Sequence, residues 1–212
     1  MSEIEEILQN LYSPKSSSKR WAIRKISEMG KEAATEEIIK ALLAILNSQQ
    51  DKNLRISCAD ALGSMGETAA TEEIIQDLLD ILNNKHEDCS VRGGCAVALG
   101  RMGETAATEE IIKTLLAILK NRDQDHRVRR SCAVALSSMP YTLFLIPNII
   151  DRIPLEYESI IKPNLDKVER EYQMWLMYNL KIETDIPYID NIIPDHFDQV
   201  FRCIVENKSN SN

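Results

Sequence analysis

The sequence predicts an all-α fold, an α-solenoid of stacked helix pairs with a divergent helical C-terminal segment, on three observations. The string MGKEAATEEII starts at Met29 and recurs as MGETAATEEII at Met65 and Met102, with a degraded fourth start at Met139-Pro140. These methionines are spaced 36, 37 and 37 residues apart. Each unit holds two segments whose apolar residues recur at helical spacing, punctuated by a Gly after Met and a Thr five residues further on. Self-similarity at about 35 to 45 residues with two helical segments per unit is the mark of stacked helix pairs.

Residues 1–14 are expected to form an N-terminal capping helix, because Glu5-Glu6-Ile7-Leu8 followed by Leu11 reads as a half-unit covering the first apolar edge. The stretch SPKSSSKR from Ser13 to Arg20 reads as a polar, mobile connection. Repeats of about 37 residues then fill 15–139. The first helix of a unit, A, is expected from Asn53 to Met65 and again from Ser90 to Met102, with Leu54, Cys58, Ala61, Leu62 and Met65 as its buried stripe. Gly30, Gly66 and Gly103 follow as helix stops. Thr35, Thr71 and Thr108 are placed to cap helix B. The pairs Glu36-Glu37, Glu72-Glu73 and Glu109-Glu110 then complement the positive end of the B-helix dipole. A carboxylate pair repeated three times at one register is a helix start, so no catalytic residue is expected. Helix B carries a wide apolar stripe, Ile38 to Leu46 and its equivalents Ile74 to Leu82 and Ile111 to Leu119.

Residues 140–212 depart from the pattern. Pro140 replaces Gly, five further prolines divide the segment, and aromatic residues concentrate there. Helices are expected from Leu165 to Leu180 and from Asp195 to Val205, as a cap or a docking segment with a disordered tail.

Composition narrows the function. Lys and Arg number 25 against 33 Asp and Glu, a formal charge of −8 that disfavours generic binding to nucleic acid. No apolar run approaches the ~20 residues of a membrane span, and the acidic start MSEIEEILQN lacks the order of a secretory signal. A cytoplasmic protein is expected. Cys58, Cys95 and Cys132 share one slot, seven residues before Met, which holds Ala22 in the first unit. A slot shared by Cys and Ala is a small core position. No cysteine pair shows zinc-site spacing, so neither metal nor cofactor is expected.

The order Asp, then Val or Leu, Arg, and small-small-Ala-Leu-Gly, as in DCSVRGGCAVALGRMG and QDHRVRRSCAVALSSM, resembles HEAT repeats of the phycobilisome-lyase-like type. Such repeats also form arrays in NACHT-type signalling ATPases. The resemblance covers roughly Lys15 to Met139 and implies a right-handed α-solenoid of HEAT-like helix pairs. It further implies an inter-repeat ladder of Asp51, Asp88 and Asp125 with Arg55, Arg92 and Arg129, a stabilising role. No nucleotide-binding GxxxxGK is present, so the resemblance brings no ATPase activity with it.

In HEAT-like arrays the B helices are expected to line the concave face. The B-helix slots that differ between units are Ala41 and Ala44, then Asp77 and Asp80, then Thr114 and Ala117, flanked by Lys40, Gln76 and Lys113. These nine residues are the expected partner-binding surface, acidic at its centre and suited to a protein partner with a basic patch. The apolar ends of a solenoid also allow pairing into a homo-oligomer. The reading is a non-enzymatic protein–protein interaction scaffold or adaptor. The alternative, drawn from the resemblance, is a bilin lyase subunit or a chaperone for a chromophore-carrying protein. His86, His126 and His196 are scattered and give that alternative no cluster. Gly93-Gly94 stands out inside a helix, where each Gly costs about 1 kcal/mol relative to Ala. It marks either a close backbone approach or a soft point.

Overall fold

A computed structural model describes residues 2–48, 51–139, 154–157 and 159–163. The described residues are all-helical, without a strand. Eight α-helices follow one another: α1 (Glu3–Leu11), α2 (Ser16–Met29), α3 (Glu36–Leu46), α4 (Lys52–Ser64), α5 (Glu72–Asn83), α6 (Cys89–Arg101), α7 (Glu109–Lys120) and α8 (His126–Ser137). Short 3₁₀ turns at Gly30–Ala33, Gly66–Ala69 and Gly103–Thr105 separate α2 from α3, α4 from α5 and α6 from α7. The helices expected beyond Pro163 lie outside the described residues.

Each boundary has a local cause. Ser2 and Glu5 form a capping box on α1, the serine hydroxyl accepting from the Glu5 amide at 3.2 Å and the Glu5 carboxylate accepting from the Ser2 amide at 2.7 Å. Thr35, Thr71 and Thr108 cap α3, α5 and α7 by accepting from the amides of Ile38, Ile74 and Ile111. Asp51, Asp88 and Asp125 cap α4, α6 and α8, accepting from the amides of Asn53, Ser90 and Arg127 at 2.7, 2.8 and 2.8 Å. Gly30, Gly66 and Gly103 sit at φ of 59°, 62° and 70°, a region that a side chain makes costly, and so turn the chain into the 3₁₀ segments. One expectation needs correction. The serine-rich stretch after Pro14 is already helical from Ser16, because Ala22, Ile23 and Ile26 of the same helix are buried and anchor it.

The helices form two layers. α1, α3, α5 and α7 each pack on the helix that follows, while α2, α4, α6 and α8 pack in succession on one another. The contact from α4 to α6 to α8 is the most extensive in the molecule, whereas α3, α5 and α7 do not pack along one another. One continuous core lies between the layers, from Ile7 and Leu11 of α1 to Leu136 and Met139 at the other end. Cys58, Cys95 and Cys132 are fully buried in it.

Small residues bring α4, α6 and α8 together. A Cβ placed on Gly63 would lie 2.9 Å from Ala98 Cα, and one on Gly100 would lie 2.6 Å from Ala135 Cα and 2.9 Å from its carbonyl oxygen. Backbone therefore meets backbone at the same register in two consecutive interfaces. Gly93 fits the same description more loosely, since its Cβ would meet the Ser131 hydroxyl at 2.7 Å. Gly94 has only ordinary contacts beyond it, at 3.7 Å or more.

A ladder of arginines joins the units, with partners other than those expected. Arg55 donates through Nε to the Leu46 carbonyl at 2.6 Å and through both terminal nitrogens to Glu87 at 2.9 and 2.7 Å. Arg92 repeats this with the Leu82 carbonyl and Gln124 Oε1, both at 2.8 Å. Arg129 takes Glu156 and donates to the Tyr157 hydroxyl at 3.0 Å, its guanidinium 5.4 Å from the ring centre. Asp51, Asp88 and Asp125 are not the acceptors, because their carboxylates cap their own helices. The residue just before Asp takes the arginine in two cases, Glu87 and Gln124. Asp51 and Asp88 instead meet cations one unit earlier, Arg20 at 3.8 Å and Lys52 at 3.4 Å. Residues 155–157 and 159–163 are helical and, through Glu156, Tyr157 and buried Ile161, close the ladder that α8 would otherwise leave open.

Two substitutions in α6 separate these roles. Gly100→Ala drives a methyl into the α8 backbone and should cost about 1–3 kcal/mol, the usual price of overpacking. Gly94→Ala meets no such wall and should stabilise by about 0.5–1 kcal/mol through helix propensity. Urea midpoints of the two variants should move in opposite directions.

The Arg55–Glu87 pair gives a pH signature. Hydrogen bonds from Arg55 hold the Glu87 carboxyl below its ordinary value of 4.5. A carboxylate depressed in the folded state contributes stability that is present above the unfolded pKa and lost as pH falls through the folded one. The stability difference between the wild type and Glu87→Gln should therefore be constant near neutrality and shrink as pH falls below 4.5, read from urea midpoints at neutral and acid pH.

Candidate interaction surface

The nine residues expected to form a surface on the B helices are not brought together. Ala41 is buried at 4% exposure, where α1 packs against α3, and it is withdrawn from the surface. Ala44 and Ala117 are exposed, but on helices that do not run alongside each other. Asp77 is half-buried and accepts from Asn47 Nδ2 at 3.2 Å, so it joins α5 to the end of α3. Asp80 accepts from Gln76 at 2.8 Å. Lys40 pairs with Glu36 and Lys113 with Glu109, both one turn back on their own helices. Thr114 returns its hydroxyl to the Glu110 carbonyl at 3.0 Å. The depression at Thr114 and Ala117 is lined by residues 108–117 alone and opens widely to solvent.

The other layer carries a shared groove. Ile56, Ser57 and Asp60 of α4, five residues of α6 and Arg127 and Ser131 of α8 enclose about 480 Å³. The α6 residues are Cys89, Ser90, Gly93, Gly94 and Val97. Gly94 forms an open part of its floor, because the missing side chain leaves Ile56 and Ala59 3.7 Å beyond its Cβ position. Gly93 instead lets α8 close in at Ser131. The two glycines thus divide the alternatives that the sequence left open, one serving close packing and the other opening the groove.

The groove coincides with the slots of helix A that change between repeats. Nine residues before Met stand Ile56, Gly93 and Arg130; eight before, Ser57, Gly94 and Ser131; five before, Asp60, Val97 and Val134. The slots between them hold Cys, Ala, Ala and Leu in all three units and are buried in all three. A stack that repeats its core while varying its groove has its specificity in the groove. Comparing the A helices slot by slot would have found this surface.

Charge divides between the layers. α2, α4, α6 and α8 carry eleven Lys or Arg and two acids, Glu28 and Asp60, while α1, α3, α5 and α7 carry eleven acids and three Lys. Arg55, Arg92 and Arg129 of the first group are consumed by the ladder. Around the groove Arg101 pairs with Asp60, and Arg127 with Asp125 at 3.1 Å. The Arg127 hydrogen bond and the Arg127 amide bring the Asp125 carboxyl down to about 2. Arg130 is exposed and has no partner among the described residues.

Reactive chemistry is not assembled here. Among the described residues no three His, Cys, Asp or Glu side chains gather where a metal ion would sit, and no helix is long and apolar enough to cross a membrane. Burial pushes the Cys58, Cys95 and Cys132 thiols up to about 12. No protein-family model matches the chain, and no curated protein does. With their thiols protonated and enclosed, Cys58, Cys95 and Cys132 should resist iodoacetamide at pH 8 in the native protein and react fully in urea, read by peptide mass mapping.

Proposed function

We propose that this chain is a non-enzymatic protein-interaction scaffold, a HEAT-like solenoid that holds a segment of a partner protein in the groove across α4, α6 and α8. The observation that carries the reading is the coincidence of the groove with the variable slots of a repeated helix. Curvature supports it. Where one layer of helices packs backbone to backbone and the other stands apart, the tight layer is the inner one. The α2/α4/α6/α8 layer is then concave, and the B helices with Asp77 and Asp80 form the outer layer, opposite to the expectation from the resemblance.

A partner segment would rest on Ile56 and Val97, approach the backbone at Gly94 and find hydrogen-bonding groups at Ser57, Ser90 and Ser131. Small polar groups around an apolar floor suit the rim-and-core pattern of a protein contact. The partners of Arg101 and Arg127 within the chain also favour a peptide over a phosphate backbone, which needs free cations. The lyase alternative gains nothing from this site, whose lining has one arginine and no aromatic ring. Unpaired cysteines in the core suit a reducing compartment such as the cytoplasm.

A photo-crosslinking residue at Val97 in the source cell tests the reading against the same residue at Ala44 on the other layer. A discrete intermolecular protein adduct at 97 that Gly94→Arg abolishes, with none at 44, is the expected result. An adduct at 44 alone, or adducts at 97 indifferent to Gly94→Arg, would refute it.

A further inference from the structure

We propose that the chain's own acidic, aromatic stretch from Glu183 to Phe201 occupies the groove across α4, α6 and α8 until a partner displaces it, an inference that rests on reading that groove as the binding surface. Between Lys181 and Arg202 the sequence has no Lys or Arg and five acids, Glu183, Asp185, Asp190, Asp195 and Asp198. Isoleucines and the rings of Tyr188, Phe197 and Phe201 lie between those acids. This composition is the complement of the groove, an apolar floor set in the cationic layer of the molecule.

The groove's surroundings are arranged for such an occupant. Ile56 and Val97 offer apolar walls, and Gly94 leaves room for a ring or for backbone. Arg130 stands exposed beside Ser131 without a partner among the described residues. The exposed pairs Arg101–Asp60 and Arg127–Asp125 can exchange an internal carboxylate for one on the incoming segment at little cost, since exposed pairs are worth only about 0–1 kcal/mol. A space of about 480 Å³ takes a few of the segment's side chains, so a short part of it is held.

Tethering favours this occupant over others. Residues 154–163 are fixed on α8 by the contacts of Arg129 with Glu156 and Tyr157, and Glu183 follows Pro163 by 20 residues. A flexible link of that length spans roughly 25 Å on average. It presents the segment at an effective concentration on the order of millimolar. A contact too weak to form between molecules is then mostly closed within one. A partner must outcompete it, so the partner's segment should share its acidic and aromatic character.

Cys89 lines the groove and is half-buried, which makes it a built-in reporter in the full chain once Cys203→Ser removes the other thiol outside the described core. Maleimide labelling of Cys89, followed by peptide mass mapping, should be slow in that background. It should accelerate about tenfold when Asp185, Asp190, Asp195 and Asp198 are changed to Asn, or when Phe197→Ala/Phe201→Ala removes the rings, as a ninety-per-cent closed site opens. Cys58, Cys95 and Cys132 staying unlabelled shows that the fold is intact. If either variant exposes them, a synthetic peptide of residues 183–201 added to the other should restore protection of Cys89. Equal Cys89 rates in all variants would overturn the proposal, as would protection that fades on dilution, which assigns the segment to a second copy. Rapid labelling of wild-type Cys89 alongside a Gly94-dependent partner adduct would sink self-occupancy alone; a protected Cys89 with no partner adduct would sink the scaffold reading alone.

Discussion

The close seam along α4, α6 and α8 is the constraint on which the rest of the structure depends. Gly63 against Ala98 and Gly100 against Ala135 allow backbones to approach where any larger side chain would hold them apart. Because the contact falls at the same register in successive units, it aligns the helices of that layer and leaves the other layer more widely set. Everything on the tight layer is thereby brought within reach of a single ligand. The groove exists because a seam of small residues runs beneath slots that are free to vary.

Two further devices hold the layers in register. The arginine ladder ties each α4-type helix to the end of the preceding helix and to the start of the next unit, and the hydrogen-bonded Arg55 and Arg92 are among the most buried charged groups of the chain. Satisfying a guanidinium at both ends is what makes its burial tolerable, since a buried charge without partners is expensive. At the C-terminal side Glu156 and Tyr157 stand where another unit would have supplied the acceptor. The second device is segregation of charge, acids at the starts of α1, α3, α5 and α7, where they complement helix dipoles, and cations on the opposite layer. A net charge of −8 therefore conceals a cationic face.

Much of this was legible in the sequence, because it was written locally and repeated. Thr35, Thr71 and Thr108, the three positive-φ glycines, the shared Cys slot and the covering role of α1 all follow from short-range chemistry. What was not legible depended on spatial neighbours. The ladder partners were misassigned because Asp51, Asp88 and Asp125 are bound by their own helix starts, leaving arginine to reach elsewhere. Ala41 was placed on the surface because its equivalents Asp77 and Thr114 are polar, but α1 packs only on α3 and buries the first of the three. The Ser16 helix start was missed because three serines carry little helical signal, and the burial of Ile23 and Ile26 supplies it. The groove was overlooked because attention fell on variation in helix B, while the variable slots of helix A lay beside residues read as core.

The central claim is that the α2/α4/α6/α8 layer is the inner one, so that its varied slots converge on one groove. Spin-label distances test it most directly, using two pairs that span the same number of repeats in a background with Cys89→Ser and Cys203→Ser. Labels at residues 60 and 134 report on the tight layer, and labels at 44 and 117 on the other. The account predicts that the 60–134 separation is clearly the shorter. Equal separations, or a shorter 44–117 distance, would contradict it and return the concave face to the B helices.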